Sequence, residues 1–372
     1  MTDPLPLAQA LLRCASVTPA DAGAQGLLAD ALRGLGFTVT SLRFGEIENL
    51  FAEIGSDGPH FCFAGHTDVV PPGTANWSAG PFAGEIRDGV LFGRGACDMK
   101  GAIAAFVAGA AAHLGGGAQS GRISLLITGD EEGPAVDGTV KVLDWMAANG
   151  KIPDFCLVGE PTNPTVLGEM LKIGRRGSIN ASITVHGTQG HVAYPHRVDN
   201  PVHRLVRALD ALTAAPIDAG SAFFEASSLQ VTSIDVGNGV TNLVPASARA
   251  MLNIRFNERH SGASLAAWIR ASVARYAERF DVDINISGES FVTEPGPVLN
   301  KVVAAIADAT GQTPKLDTGG GTSDARFIAR FCPVAEFGLV GASMHQVDES
   351  VPVVDLRALA GVYRTVLDRF FA

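Results

Sequence analysis

Three short runs of the chain, Phe61-Cys62-Phe63-Ala64, Ile123-Ser124-Leu125-Leu126-Ile127 and Phe155-Cys156-Leu157-Val158, place bulky apolar residues at consecutive positions. A strand buries both faces only inside a sheet that is covered on both sides, so these runs predict central strands of an α/β sheet with helices packed on it. All three also break off at a glycine that leads into residues able to hold a cation. The first runs into Gly65-His66-Thr67-Asp68, the second through Thr128 into Gly129-Asp130-Glu131-Glu132, and the third into Gly159-Glu160-Pro161. Ligands of open α/β sheets bind beyond the carboxyl ends of the strands, so the three ends are expected to converge on one crevice.

Helical periodicity surrounds these runs. Leu7, Leu11 and Leu12 mark one helix, Leu27, Leu28, Leu32 and Leu35 a second, and Gly101 to Leu114 an Ala-rich third. Between about Ser178 and Ser287 the pattern changes to strand Ile179–His186, helix Pro201–Ala214, strands Leu229–Val236 and Ala248–Phe256, helix Ser264–Phe280, and a last strand through Val282, Ile284 and Ile286. In Ala248–Phe256 apolar and polar residues alternate, as in a strand with one face in water. The order βαββαβ predicts a ferredoxin-like α+β unit inserted into the first domain. The α/β pattern then resumes with a helix at Pro297–Thr310, an apolar strand near Pro333–Val340 and a last helix from Asp355. The expected division is residues 1–177 and 290–372 for the α/β domain and 178–289 for the insert.

Composition narrows the function. With 28 Lys and Arg against 38 Asp and Glu, the net charge of −10 has the wrong sign for a chain that follows phosphate backbones or anionic membranes. No apolar stretch reaches the roughly 20 residues of a bilayer span. The start Met1-Thr2-Asp3-Pro4 lacks the basic and apolar regions of an export signal. Five cysteines, Cys14, Cys62, Cys97, Cys156 and Cys332, lie far apart and never in a Cys-x-x-Cys pair, which suits a reducing cytoplasm. Gly93-Arg94-Gly95 lacks the third glycine of a dinucleotide loop, and Gly319-Gly320-Gly321-Thr322 lacks the Gly-Lys-Ser/Thr ending of a phosphate loop. No Gly-x-Ser-x-Gly elbow is present for serine-hydrolase chemistry.

A fourth segment, Gly93 to Gly101, places Asp98 in a glycine loop before the Ala-rich helix, and His345 comes from the far end of the chain. The candidate ligands are therefore His66, Asp98, Glu132, Glu160 and His345. Imidazole with carboxylate suits zinc, and five ligands exceed the three a single catalytic zinc uses. Two ions fit better if Asp98 bridges them, and paired ions acidify water and polarise a carbonyl. With Glu132 as a ligand, its neighbour Glu131 is left beside the water as general base. Asp68, two residues after His66, is placed to accept a hydrogen bond from the imidazole nitrogen that does not face metal.

The motifs Gly65-His66-Thr67-Asp68-Val69-Val70-Pro71, Gly93-Arg94-Gly95 through Asp98-Met99-Lys100-Gly101, Asp130-Glu131-Glu132-Gly133-Pro134, Gly159-Glu160-Pro161-Thr162 and Gly320-Gly321-Thr322-Ser323-Asp324 resemble those of the dinuclear zinc aminoacylase/carboxypeptidase family. The resemblance covers nearly the whole chain, in order. It implies a zinc-bearing catalytic domain interrupted by a smaller domain that dimerises, with two zinc ions per subunit, or cobalt in their place. By motif, His66, Asp98 and Glu160 would hold one ion and Asp98, Glu132 and His345 the other, with Glu131 as acid/base. His191, in the insert, would reach the partner subunit's site and stabilise the oxyanion. Arg175, Ser178, Tyr194, Asn242, Arg255, Thr322 and Arg326 match positions near the family's substrate.

Further motifs, among them Gly174-Arg175-Arg176-Gly177-Ser178 and Gly190-His191-Val192-Ala193-Tyr194-Pro195-His196, resemble the members that split N-succinyl-L,L-2,6-diaminopimelate into succinate and L,L-2,6-diaminopimelate for lysine and cell-wall precursor synthesis. That substrate carries three carboxylates, a reason for an acidic protein to gather arginines. The alternatives are deacylation of another acylated amino acid such as acetylornithine, cleavage of a C-terminal peptide bond, or a non-catalytic relative that only binds. Two departures from the family pattern stand out. Cys97 sits beside Asp98 where a small aliphatic residue is usual, as a reactive thiol or a bystander, and Gly341 stands where some members carry a substrate-touching Asn.

Overall fold

A computed structural model describes residues 2–117 and 120–372. Contacts divide these into two units. The first runs to Ile173 and resumes over Thr293–Asp317 and Ser323–Ala372; the second is Gly174–Val292 with the short return Thr318–Thr322. That return is a crossing that hydrophobic periodicity has no means of showing.

The first unit is an α/β fold on a central mixed sheet, as expected. Its eight strands lie in the order Thr38–Phe44, Ile47–Gly55, Arg122–Thr128, His60–His66, Phe155–Val158, Val334–Glu336, Met170–Lys172, Lys315–Asp317. The strand His60–His66 runs parallel to both Arg122–Thr128 and Phe155–Val158, and every one of its residues is buried. The antiparallel pair Thr38–Phe44 and Ile47–Gly55 extends the sheet at one edge. Its outer strand is largely solvated and carries no run of buried residues, so it lacked the signal that marked the centre. The strand expected near Pro333–Val340 is confined to Val334–Glu336.

The helix Lys100–Leu114 is buried along its first eleven residues, because it lies between the sheet and the terminal helix Val353–Phe371. Its Phe106 stacks on Phe63 with ring centroids 4.2 Å apart, and Tyr363 meets both rings edge-on. The Tyr363 hydroxyl, fully buried, donates to the Phe337 carbonyl at 2.6 Å. A Cβ on Gly109 would come within 2.8 Å of the Ala360 carbonyl, so the two helices approach at a spacing only glycine permits.

In the second unit the strands Gly177–His186, Ser228–Asp235, Ser247–Phe256 and Phe280–Gly288 form one antiparallel sheet in the order 2-3-1-4. With helices Pro201–Thr213 and Gly262–Ala274 between them, this is the expected ferredoxin-like βαββαβ arrangement. The alternation in Ser247–Phe256 is met residue by residue: Ala248, Ala250, Leu252, Ile254 and Phe256 are buried in the unit's core. One expectation is corrected. The second helix ends at Ala274 and not at Phe280, which opens the last strand opposite Val185. Apolar spacing alone does not tell the last turn of a helix from the first residue of a strand.

Candidate metal centre

Parallel register brings the ligand-bearing strand ends to one level. His66 pairs with Thr128, and Val158 lies opposite Ala64, so residues 66–68, 129–132 and 159–160 leave the sheet along the same edge. Two bare glycines make room there for a third segment. A Cβ on Gly65 or Gly159 would fall 2.6 or 2.7 Å from the Met99 Cε, a separation at which atoms collide. Their absence lets Met99 fill the space between the strand ends, and Asp98, directly before it, is carried to the rim.

The five candidate ligands meet. His66 Nε2 stands 3.1 Å from Asp98 Oδ1 and 3.7 Å from Glu160 Oε1. His345 Nε2 stands 3.2 Å from Asp98 Oδ2 and 2.9 Å from Glu132 Oε1. Each Asp98 oxygen therefore faces a different imidazole. Donor atoms of His66, Asp98 and Glu160, and of Asp98, Glu132 and His345, lie within 4.8 Å of one another, the reach of a shared ion. His66, Glu131 and Glu132 also fall within that distance, with Glu131 Oε2 4.0 Å from His66 Nε2. His345 is the exposed member, and its backbone sits in the left-handed region at φ 61°.

The electrostatics of this donor set ask for positive charge. Burial and the neighbouring Asp98 and Glu131 carboxylates push Glu160 well above the usual carboxylate range, and among the described residues its buried Oε1 receives no hydrogen bond. Burial, reinforced by the Asp324, Glu132 and Asp98 charges, raises Glu131 to about 8. Hydrogen bonds to Asp98 and Glu132 raise His345 to about 10. For His66 burial pulls the other way, but Asp98, Glu160 and Glu131 outweigh it and hold the imidazole well above its ordinary value. A crowd of buried carboxylates that recruits protons in this way is stabilised by a cation, and the mixed imidazole and carboxylate donors suit a divalent ion of the zinc type. The residues present fit a metal pair.

Asp68 requires a correction. The His66 Nδ1–H donates to the Asp68 backbone carbonyl at 2.9 Å, while the Asp68 carboxylate lies 3.7 Å away. A carbonyl only accepts, so Nδ1 carries a proton and Nε2 is the nitrogen that faces the cluster. The carboxylate instead accepts the backbone N–H groups of Glu131 at 3.2 Å and Glu132 at 3.0 Å, which ties the loop carrying both residues to the end of the strand bearing His66. Asp130 braces the same loop from below, accepting the Val136 and Asp137 N–H groups at 2.8 and 3.1 Å.

Sequence reading missed Asp324. It is buried, accepts the Thr139 hydroxyl at 2.6 Å, and raises Glu131 through its charge. It directly follows Gly320-Gly321-Thr322-Ser323, and nothing in the spacing separates it from a turn residue. Cys97 is a bystander: its thiol is buried, donates to Glu349 Oε1 at 3.3 Å, and is pushed well above its ordinary value by burial.

In the second unit, Gly190–His191 pairs with Leu243–Val244, and the Val192 N–H donates to the Asn242 carbonyl at 3.1 Å. His191, Tyr194 and Asn242 thus share one exposed ribbon, with the His191 and Tyr194 rings 5.8 Å apart. Arg175 is buried and donates to the Gly319 and Gly321 carbonyls at 3.3 and 3.0 Å, beside Thr322. Ser178 and Arg255 are register partners on neighbouring strands. In the first unit Arg326 lies over the Phe327 ring at 4.3 Å and donates to the Ser323 carbonyl at 3.3 Å.

Comparison with known proteins sets this geometry in context. The model of peptidase family M20/M25/M40 matches residues 62–369. Succinyl-diaminopimelate desuccinylase of Acidiphilium cryptum is 65% identical, covering 99% of this chain and 99% of its own. The enzymes of the same name from Gluconacetobacter diazotrophicus and Caulobacter vibrioides are 62% and 59% identical, covering 99% and 100% of this chain and 97% and 96% of theirs. Among solved structures, aminopeptidase PepT from Bacillus cereus superposes with a TM-score of 0.80 at 19% identity, over 99% of this chain and 98% of that one. An M20 family metallo-carboxypeptidase from Sulfolobus solfataricus does so with a TM-score of 0.77 at 16% identity, over 100% and 99%. These two speak for the fold.

Proposed function

The chain belongs to peptidase family M20/M25/M40, and from that footing we propose that it hydrolyses the amide of N-succinyl-L,L-2,6-diaminopimelate to succinate and L,L-2,6-diaminopimelate, a step toward lysine and cell-wall precursors. The substrate follows the full-length relatives at 59 to 65% identity, and the chemistry rests on one observation, Asp98 set between two imidazoles with Glu131 alongside.

In this reading His66, Asp98 and Glu160 would hold one zinc and Asp98, Glu132 and His345 the other, with cobalt able to take either place. When bound, the pair supplies positive charge that acidifies a water and polarises the scissile carbonyl. The chain's residues do the rest. Asp68 holds the loop that aims Glu131. The Glu131 carboxylate removes a proton from the attacking water and returns it to the leaving nitrogen, so that the C–N bond breaks toward a neutral amine. A carboxylate whose proton affinity is raised by burial is suited to both halves of that transfer.

The charge that develops on the carbonyl oxygen is met by the partner subunit's His191, in a homodimer built through the 178–289 insert. Arg175, Arg255 and Arg326 pair with the three carboxylates of the substrate, while Ser178, Tyr194, Asn242 and Thr322 orient it. The enzyme works in the cytoplasm; its cysteines are free, and among the described residues no helix is long and apolar enough to cross a membrane.

Turnover on succinyl-diaminopimelate, acetylornithine and a C-terminal dipeptide tests the assignment. The succinyl substrate should give the highest kcat/KM, with activity lost to chelator and restored by zinc. A preference for the acetyl substrate or the peptide, or full activity in chelator, overturns it.

A further inference from the structure

Arg94 and Glu349 form an ion pair that is almost wholly removed from water, 2.6 Å between Nη1 and Oε2. Burying two charges costs more than it returns unless the pair does something else. Its contacts run to the ligand loops. Glu349 Oε1 accepts the backbone N–H of Asp98 at 3.2 Å, the N–H of Cys97 at 3.1 Å and the Cys97 thiol at 3.3 Å. Arg94 Nη2 donates to the His345 carbonyl at 3.3 Å and to the Pro71 carbonyl at 3.5 Å, on the loop that follows His66. The backbone closes the same ring, with the Gly93 N–H donating to the Glu349 carbonyl at 2.9 Å.

We infer that Arg94 and Glu349 are positioning residues which lock the Asp98 and His345 loops together and so set the spacing of the Asp98, Glu132 and His345 ligand group. Among the described residues, their contacts with these loops run to backbone atoms and the Cys97 thiol, not to the donor atoms. Glu349 holds the backbone of Asp98, and Arg94 holds the backbone of His345, a residue in the left-handed region that needs an outside contact to stay there. Carboxylate and guanidinium are stiff and strongly bonded, so a loop tied at both ends has little freedom to move its ligand. Supporting contacts of this kind change metal affinity by about 10- to 100-fold when removed.

The inference rests on Asp98 and His345 being metal ligands, so the test separates the two claims. Metal-free wild type, Asp98→Ala, Glu349→Gln, Arg94→Lys and Val366→Ala are titrated with Co2+, recording the dissociation constant, the visible absorption band and the melting temperature. Val366, buried in the terminal helix, serves as a destabilised control away from the pair. Wild type should bind and Asp98→Ala should not.

Glu349→Gln and Arg94→Lys should bind at least about tenfold more weakly, with a shifted band, because the ligands are no longer set. Val366→Ala should lower the melting temperature but keep the wild-type constant and band. Wild-type affinity and band in the two pair variants, or an equal loss in Val366→Ala, would make the pair structural only and overturn the inference. Equal binding by wild type and Asp98→Ala would remove the metal reading and the inference with it. If Glu349→Gln does not fold, Arg94→Lys decides, since it keeps the charge beside Glu349 and loses the reach to His345 and Pro71.

Discussion

Replacing Asp68 by Asn separates two ways in which this residue could serve the site. In the folded chain its carboxylate accepts two backbone N–H groups, those of Glu131 and Glu132, and lies too far from the His66 imidazole to bond it. Asn offers one acceptor oxygen, so one of the two N–H groups must face an NH2 group in a pocket where Asp68 is 1% exposed. A charged hydrogen bond is worth about 1.5 to 3 kcal/mol, and an unsatisfied buried donor costs about 1 to 3 more. Shifted onto the loop that carries Glu131, the combined cost of about 2.5 to 6 kcal/mol would lower kcat roughly 70- to 25,000-fold.

Steady-state kinetics on the zinc-loaded Asn variant measure the loss, and Co2+ titration of the metal-free protein reports on the ligands. The loss should fall on kcat, and weakened Co2+ binding should trace to the ion held by Glu132. His66 keeps its tautomer, because the carbonyl that receives its Nδ1–H belongs to the backbone and survives the substitution. Wild-type kcat in Asp68→Asn would refute the loop assignment. A loss confined to the ion held by His66 and Glu160 would instead return the carboxylate to the imidazole.

Glu131→Ala should keep both metals, by elemental analysis, and lose kcat by about 10²- to 10⁴-fold; activity within a few-fold of wild type would remove Glu131 from the proton transfer. Mixed dimers of His191→Ala with Glu131→Ala should recover about a quarter of wild-type activity under random pairing, since one site per heterodimer regains both groups, and no recovery would count against a shared site. His60 gives stability a pH dependence. Burial and the nearby Arg122 charge lower it to about 4, against about 6.5 for an unfolded chain. The folded state therefore keeps its full advantage above about pH 6.5 and loses up to about 3 kcal/mol as pH falls from there to about 4, below which both states are protonated. Denaturant midpoints at pH 7 and 4.5 should move further in wild type than in His60→Gln, and parallel shifts would show that His60 is not the group responsible.

Local pattern carried much of this molecule. Runs with bulky residues on both faces could only be central strands, and the glycine at the end of each announced a turn into polar residues. Register turned that reading into geometry, because three parallel strands that stop level with one another bring His66, Glu131, Glu132 and Glu160 to one rim. The insert was legible for the same reason, its alternating strand Ser247–Phe256 having one wet face and one buried face. Where a segment fell between periods the reading failed. The solvated edge strand Thr38–Phe44 had too weak an apolar pattern to be seen, and Phe280 fitted a helix face as well as a strand end.

Contacts made by backbone, or by residues far apart in sequence, belong to tertiary structure alone. Spacing placed Asp68 beside His66, yet only the fold decided that its carbonyl faces the imidazole and its carboxylate faces the next loop. Arg94 and Glu349 stand 255 positions apart, and the local pattern around neither signals a pairing. The residue types, and so the chemistry, are written locally, since burial and polarity act on each position as it comes. Which donor meets which acceptor depends on where the chain returns after the insert, and that is settled only when the whole first unit has packed.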